Sequence, residues 1–178
     1  CAASLLVNHH LPAEAGVGRF IPDLALPGGK LRDFSSRKFL VIALTNTTCP
    51  LCKKYTPTLA DLEKTYSPKG IAFLYLNPTD HAAASPFAGK YVIDKQGELA
   101  AALGATSTTD VFVLDSARTI VYRGAVDDQY GIGYAPDAPK RKFLARALDQ
   151  LLAGQTPEVQ ATTAPGCALD LAAPTTKS

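Results

Sequence analysis

Phe39-Leu40-Val41-Ile42-Ala43-Leu44-Thr45-Asn46-Thr47-Thr48-Cys49-Pro50-Leu51-Cys52 runs from an apolar stretch through a polar loop into a Cys-x-x-Cys. Residues 39–45 read as a buried β-strand. Beyond the motif, Tyr55, Leu59, Leu62 and Tyr66 fall on one helical face, which predicts a helix from about Pro50 to Tyr66. The first cysteine therefore stands about where a helix begins. Unpaired N–H groups and the helix dipole favour negative charge there, so its thiol is expected to ionise early. The second cysteine lies one turn on, within reach of a mixed disulfide at the first. Such a pair can carry out thiol–disulfide exchange.

A Cys-x-x-Cys is also half of a zinc site, which normally needs two more Cys or His ligands at short spacing. The other candidates are Cys1, Cys167, His9, His10 and His81. None is paired at a zinc-like spacing, and the strand-to-helix setting favours redox chemistry. A structural disulfide without turnover is the remaining bland reading.

Composition limits the choices. The chain has 178 residues, enough for one domain with an ordinary core; 47% are hydrophobic and 19% charged. A net charge of +2 gives no reason to expect nucleic acid or a polybasic membrane surface. No apolar run approaches a membrane span. The sequence contains no Met, so a processed protein, an excised domain, or both, is expected. Cys1-Ala2-Ala3-Ser4 has two readings: a lipoprotein N-terminus with a lipid anchor on Cys1, or an arbitrary fragment end.

Working outward, residues 1–17 read as a leader segment, 18–154 as the folded domain and 155–178 as a Pro/Thr/Ala-rich tail or linker. Phe20 to Leu26 is a short extended piece, closed by a Pro27-Gly28-Gly29 turn. Pro57 lies inside the predicted helix and should kink it. Residues 71–76 form a second buried strand, 77–90 a loop, 91–93 a short strand and 98–103 a short helix. Residues 111–114 and 119–122 pair as an antiparallel hairpin. Phe143 to Leu152 is an amphipathic helix stopping near Gly154.

This order of elements, with Pro57 five residues beyond Cys52, resembles the thioredoxin arrangement: an α/β, thioredoxin-like fold with a central mixed sheet flanked by helices. Three patterns narrow the resemblance: Cys49-Pro50-Leu51 with Tyr55-x-Pro57-x-Leu59; Tyr122-Arg123-Gly124-x-Val126-Asp127-Asp128-Gln129-Tyr130-Gly131; and Ala164-Pro165-Gly166-Cys167. Together they resemble bacterial extracytoplasmic redoxin-domain proteins of the alkyl hydroperoxide reductase and thiol-specific antioxidant superfamily. The resemblance implies an extracytoplasmic, membrane-anchored or periplasmic location. It also implies that a longer parent chain would continue into a haem- or copper-binding region beyond this C-terminus.

Two positions depart from the peroxidase pattern. Asn46 stands where the resemblance calls for Thr. Thr109 stands where a peroxidase would have Arg and a thioredoxin-like reductase a cis-proline. A cis peptide before Thr109 would cost about 3 kcal/mol or more, so trans is expected. Without that proline, metal capture by Cys49 and Cys52, with His81, becomes a reading to weigh; two thiolates suit Cu(I) best. The bland reading of His81, a solvated loop histidine, is favoured.

The expected activity is therefore thiol–disulfide oxidoreduction. Cys49 is the nucleophile and the more exposed thiol, Cys52 resolves, the partner is a protein thiol or disulfide, and no organic cofactor is implied. The alternatives are a peroxidase acting on hydroperoxides and a copper-binding or copper-delivery module. Asn46, Thr48, Pro50 and Thr109 are the expected supports around the dithiol. Asp127, Asp128, Gln129 and Tyr130 should border it, either positioning substrate or forming a turn. Lys53 and Lys54 read as solvated helix residues. Cys167 has three readings: a disulfide with Cys1 if the tail returns to the N-terminus, pairing with Cys49 or Cys52 as a third redox cysteine, or, slightly favoured, a buried hydrophobe beyond disulfide range of the other cysteines.

Overall fold

The computed structural model describes residues 16–79, 84–131, 133–169 and 171. His81, Cys1, His9, His10 and most of the expected leader lie outside the described residues. The short strands β1 (Ala25–Leu26) and β2 (Gly29–Lys30) form a small antiparallel ribbon. The main sheet has five strands: β3 (Phe39–Leu44), β4 (Ile71–Asn77), β5 (Lys90–Ile93), β6 (Val111–Asp115) and β7 (Ile120–Gly124). Their spatial order is β5-β4-β3-β6-β7, with β3 parallel to β4 and antiparallel to β6. The sheet is mixed, as expected for the α/β, thioredoxin-like class.

Both faces of the sheet are covered, so its strands are apolar almost throughout. On one face α1 (Pro50–Tyr66) and α3 (Phe143–Leu152) bury Tyr55, Leu59, Leu144 and Leu148 against Val41, Phe73 and Val113. On the other, α2 (Glu98–Leu103) and the N-terminal piece bury Leu99, Leu103, Ile21 and Leu31 against Ile42, Leu74 and Phe112. Pro57 lies inside α1, as the sequence indicates.

Register decides what meets the cysteines. Ala43, next to the end of β3, pairs with Val111 at the start of β6, and Val111 pairs with Gly124 at the end of β7. The loop leading to Cys49, the 107–110 turn and the segment from Ala125 onward therefore emerge at one edge. The segment after α3 comes back to that edge. Its Ala161 bridges Arg123 and its Ala168 bridges Ser107. Gly124, at φ +129°, lets it pass: a Cβ there would lie 2.2 Å from the Thr162 carbonyl oxygen. Residues 160–169 thus run along the domain, although their composition reads as tail.

Candidate active site

Cys49 is the N-cap residue of α1, with Pro50 at the first helical position and no acidic residue in the first turn. Proline suits that position because its missing N–H would have been unpaired there anyway. Asn46 shapes the approach: its side-chain oxygen accepts both the N–H and the hydroxyl of Thr48, each at 2.7 Å. Thr48 and Pro50 are exposed and make the rim.

The sulfur of Cys49 accepts the Thr108 hydroxyl at 3.3 Å, the backbone N–H of Cys52, and the thiols of Cys167 and Cys52. Burial raises its pKa, yet these donors more than offset that, and the thiol falls to about 6. Hydrogen bonds to the charged form explain the direction. Cys52 is held oppositely. Its single S–H is shared between the Thr108 carbonyl, at 3.2 Å, and the Cys49 sulfur. Burial and the neighbouring Cys49 charge push it up to about 12. The space around it, walled by Leu44, Tyr55, Leu59 and Val126, has no room for a water molecule.

Two expectations are corrected here. Cys49 is not the more exposed thiol: Cys49 is 3% and Cys52 4% exposed. And Cys167 is neither buried nor remote: it is exposed, with its sulfur 3.6 Å from that of Cys49. One cause serves both, because the segment bearing Cys167 lies across the face of Cys49. Thr108 was not singled out in the sequence, yet it touches both sulfurs of the dithiol. The available signal was its place just before Thr109, the position already compared with the cis-proline. The peptide before Thr109 is trans, as expected.

The redoxin family model matches residues 20–139. The chain belongs to the redoxin family. No curated protein matches the sequence. Among solved structures, a hypothetical protein from Sinorhizobium meliloti is 26% identical, with a TM-score of 0.74 over 88% of this chain and 95% of that one. An uncharacterized conserved protein from Geobacillus kaustophilus is 27% identical, with a TM-score of 0.74 over 88% and 94%. The thioredoxin domain of a thiol-disulfide oxidoreductase from Bacteroides vulgatus shares the fold at 18% identity, with a TM-score of 0.52 over 60% and 86%.

In this redoxin the Asp127–Tyr130 stretch borders the site but is spent on structure. Asp127, 3% exposed, accepts the Tyr55 hydroxyl at 2.8 Å and the Gln129 N–H at 3.0 Å. Asp128 accepts the N–H groups of Lys140 and Arg141, both at 2.8 Å. Gln129 donates to the carbonyls of Pro136 and Asp137. Tyr130 packs edge-on against Tyr55, ring centres 5.0 Å apart, with the Lys54 ammonium 5.3 Å from its ring. The stretch closes the loop that leads into α3. Thr109 is buried; its hydroxyl donates to the Pro165 carbonyl and its N–H to Ser107 Oγ. Asp110 tightens the same turn by accepting the N–H groups of Thr106 and Ser107 while pairing with Arg123 at 3.7 Å. Among the described residues no group of three or more His, Cys, Asp or Glu side chains is placed to hold a metal ion.

Proposed function

We propose that this redoxin is a thiol–disulfide oxidoreductase working through Cys49 and Cys52. The observation that carries the reading is the split between two thiols one helical turn apart. One is held near pKa 6 by donors aimed at its sulfur; the other is dry and near 12. At neutral pH Cys49 is a thiolate and Cys52 a thiol, the division of labour that exchange requires.

The Cys49 thiolate attacks one sulfur of a partner disulfide. A Cys49–partner bond forms, and the second partner sulfur leaves as a thiolate that takes a proton from water. Cys52 then attacks the Cys49 sulfur, with its proton passing to the departing partner. The Cys49–Cys52 disulfide keeps the oxidising equivalents, and the partner leaves with two thiols. The reverse sequence oxidises a partner dithiol.

Peroxide chemistry finds less support. Asn46 and Thr109 stand in place of the Thr and the Arg that the resemblance calls for in a peroxidase, and the Thr109 hydroxyl is turned to Pro165. Donors for the developing charge on the leaving oxygen are what such a site needs. By resemblance of its motifs, the same reading places the protein outside the cytoplasm. The test is a count of free thiols in the reduced protein before and after an excess of a disulfide-bonded protein substrate, with the new disulfide mapped. A Cys49–Cys52 bond and matching loss of the substrate disulfide are expected. Rapid oxidation by peroxide with an inert disulfide substrate would replace this reading with the peroxidase one.

A further inference from the structure

We propose that Cys167 is a third redox cysteine of the site, the sulfur through which a disulfide or dithiol partner reaches Cys49, by way of a Cys49–Cys167 disulfide. The inference rests on the exchange reading of Cys49 and Cys52. Three observations place it. Cys167 is exposed while Cys49 is 3% exposed, so a partner's sulfur meets Cys167 first. The two sulfurs are 3.6 Å apart, close enough that a modest rotation about the side chains would join them.

The approach is also built rather than incidental. The Thr108 N–H donates to the Cys167 carbonyl at 3.0 Å, and the Cys167 N–H donates to Thr108 Oγ1 at 3.2 Å. Leu169 N–H donates to the Thr106 carbonyl at 3.0 Å, and Ser107 Oγ to the Pro165 carbonyl at 2.9 Å. Thr108 thus holds all three cysteines: Cys49 by its hydroxyl, Cys52 by its carbonyl, and Cys167 by its backbone N–H and its hydroxyl oxygen. Gly166, at φ +137°, allows the close pass; a Cβ there would lie 2.6 Å from Ser107 Oγ and 3.0 Å from Thr109 Oγ1.

The steps balance. With the protein reduced, Cys167 passes its proton along its hydrogen bond to the Cys49 thiolate and attacks one sulfur of a partner disulfide; a Cys167–partner bond forms, and the other partner sulfur leaves as a thiolate that takes a proton from water. Cys49 attacks the Cys167 sulfur, a Cys49–Cys167 bond forms, and the second partner sulfur leaves as a thiol, taking the proton that Cys49 had received. Cys52 then attacks the Cys49 sulfur and expels Cys167, which takes the Cys52 proton. Two electrons pass from the Cys49–Cys52 dithiol to the partner, and Cys167 is returned unchanged.

The experiment uses the full chain, reduced, then mixed with oxidised glutathione, acid-quenched over time and mapped by mass spectrometry. Circular dichroism checks that each variant is folded. The wild type tests the underlying reading: failure to form Cys49–Cys52 would overturn that reading whatever Cys167 does. Cys52→Ser should accumulate a Cys49–Cys167 disulfide. If it accumulates Cys49–glutathione without that link, the proposal is overturned while the exchange reading stands. Cys167→Ser should still end as Cys49–Cys52, but about tenfold more slowly, having lost the accessible sulfur; an unchanged or faster rate overturns the proposal. Adding Gly166→Ala to Cys52→Ser keeps the thiol and lifts its backbone, so the Cys49–Cys167 yield should drop severalfold. An undiminished yield would show that the observed approach is not what joins the two sulfurs.

Discussion

Cys49 and Cys52 stand three residues apart on one helix, and their surroundings differ in almost everything that sets thiol chemistry. Around Cys49 the protein collects donors: a hydroxyl, a helix N–H and two thiols. Around Cys52 it packs Leu44, Tyr55, Leu59 and Val126 together with Thr45 and Thr109 and leaves no room for water. The result is one thiol near 6 and one near 12. Burial alone does not sort them, since both side chains are almost fully covered. What differs is the balance: at Cys49 the hydrogen bonds to the sulfur outweigh burial, while at Cys52 burial and the Cys49 charge outweigh the bonds from the Thr108 side chain and the Asn46 backbone.

The largest effect should come from Cys49→Ser. Losing the nucleophile should cut the disulfide-exchange rate by about 10³-fold or more, read by reduction of a protein disulfide. A surviving rate would move the nucleophile to another sulfur. Thr108→Val is next. It removes the hydroxyl from Cys49 while keeping the carbonyl that meets Cys52. A hydrogen bond to a charged group contributes about 1.5–3 kcal/mol, so the Cys49 pKa should rise by about 1–2 units, followed by the pH dependence of iodoacetamide alkylation. Cys52 should rise less, because burial and the Cys49 charge outweigh the Thr108 side chain there; an equal rise would show that the two environments are not separable.

The pH dependence of stability sharpens the same contrast. Cys49 is depressed from 9.0 to about 6 on folding, so its stabilising contribution is complete above pH 9 and is lost as pH falls through 6. Cys52 is raised from 9.0 to about 12, so its contribution is complete below pH 9 and is lost as pH climbs through 12. Denaturant titrations of the reduced protein should therefore show the wild-type advantage over Cys49→Ser growing between pH 6 and 9. A difference flat across that range would mean that folding leaves Cys49 unperturbed.

Tyr55→Phe should have the smallest effect on chemistry. It leaves the buried Asp127 oxygen without its phenol donor, at a cost of about 1–3 kcal/mol in unfolding free energy. The exchange rate should stay within about twofold, because Asp127 bonds to Tyr55 and Gln129 rather than to sulfur. A large loss of rate with the fold intact would return Asp127 to the functional reading that the sequence left open.

Much of the fold was legible because local patterns carry it. The stripe of Tyr55, Leu59 and Tyr66, with Pro50 at the first helical position, marks α1 at the bounds the structure shows. The apolar run 39–44 and its counterpart at 71–76 read as strands buried on both faces, and the structure has them so. Topology leads one to expect the Asp-Asp-Gln-Tyr stretch beside the dithiol, but residue types alone do not say whether its polar groups face a substrate or their own loop.

By itself the sequence determined the pair of cysteines, their place at a strand-to-helix junction and the alternation that builds the sheet. Those are short-range properties, written in the spacing of neighbouring residues. Only the tertiary structure decided that Thr108 is the donor to Cys49 and that Cys167, in a stretch that reads as tail, lies against it. Both contacts join residues far apart along the chain. They exist because β6 runs antiparallel to β3 and because glycines at 124 and 166 let the final segment approach the backbone closely. No local pattern encodes such a meeting; strand register and room for a close pass do.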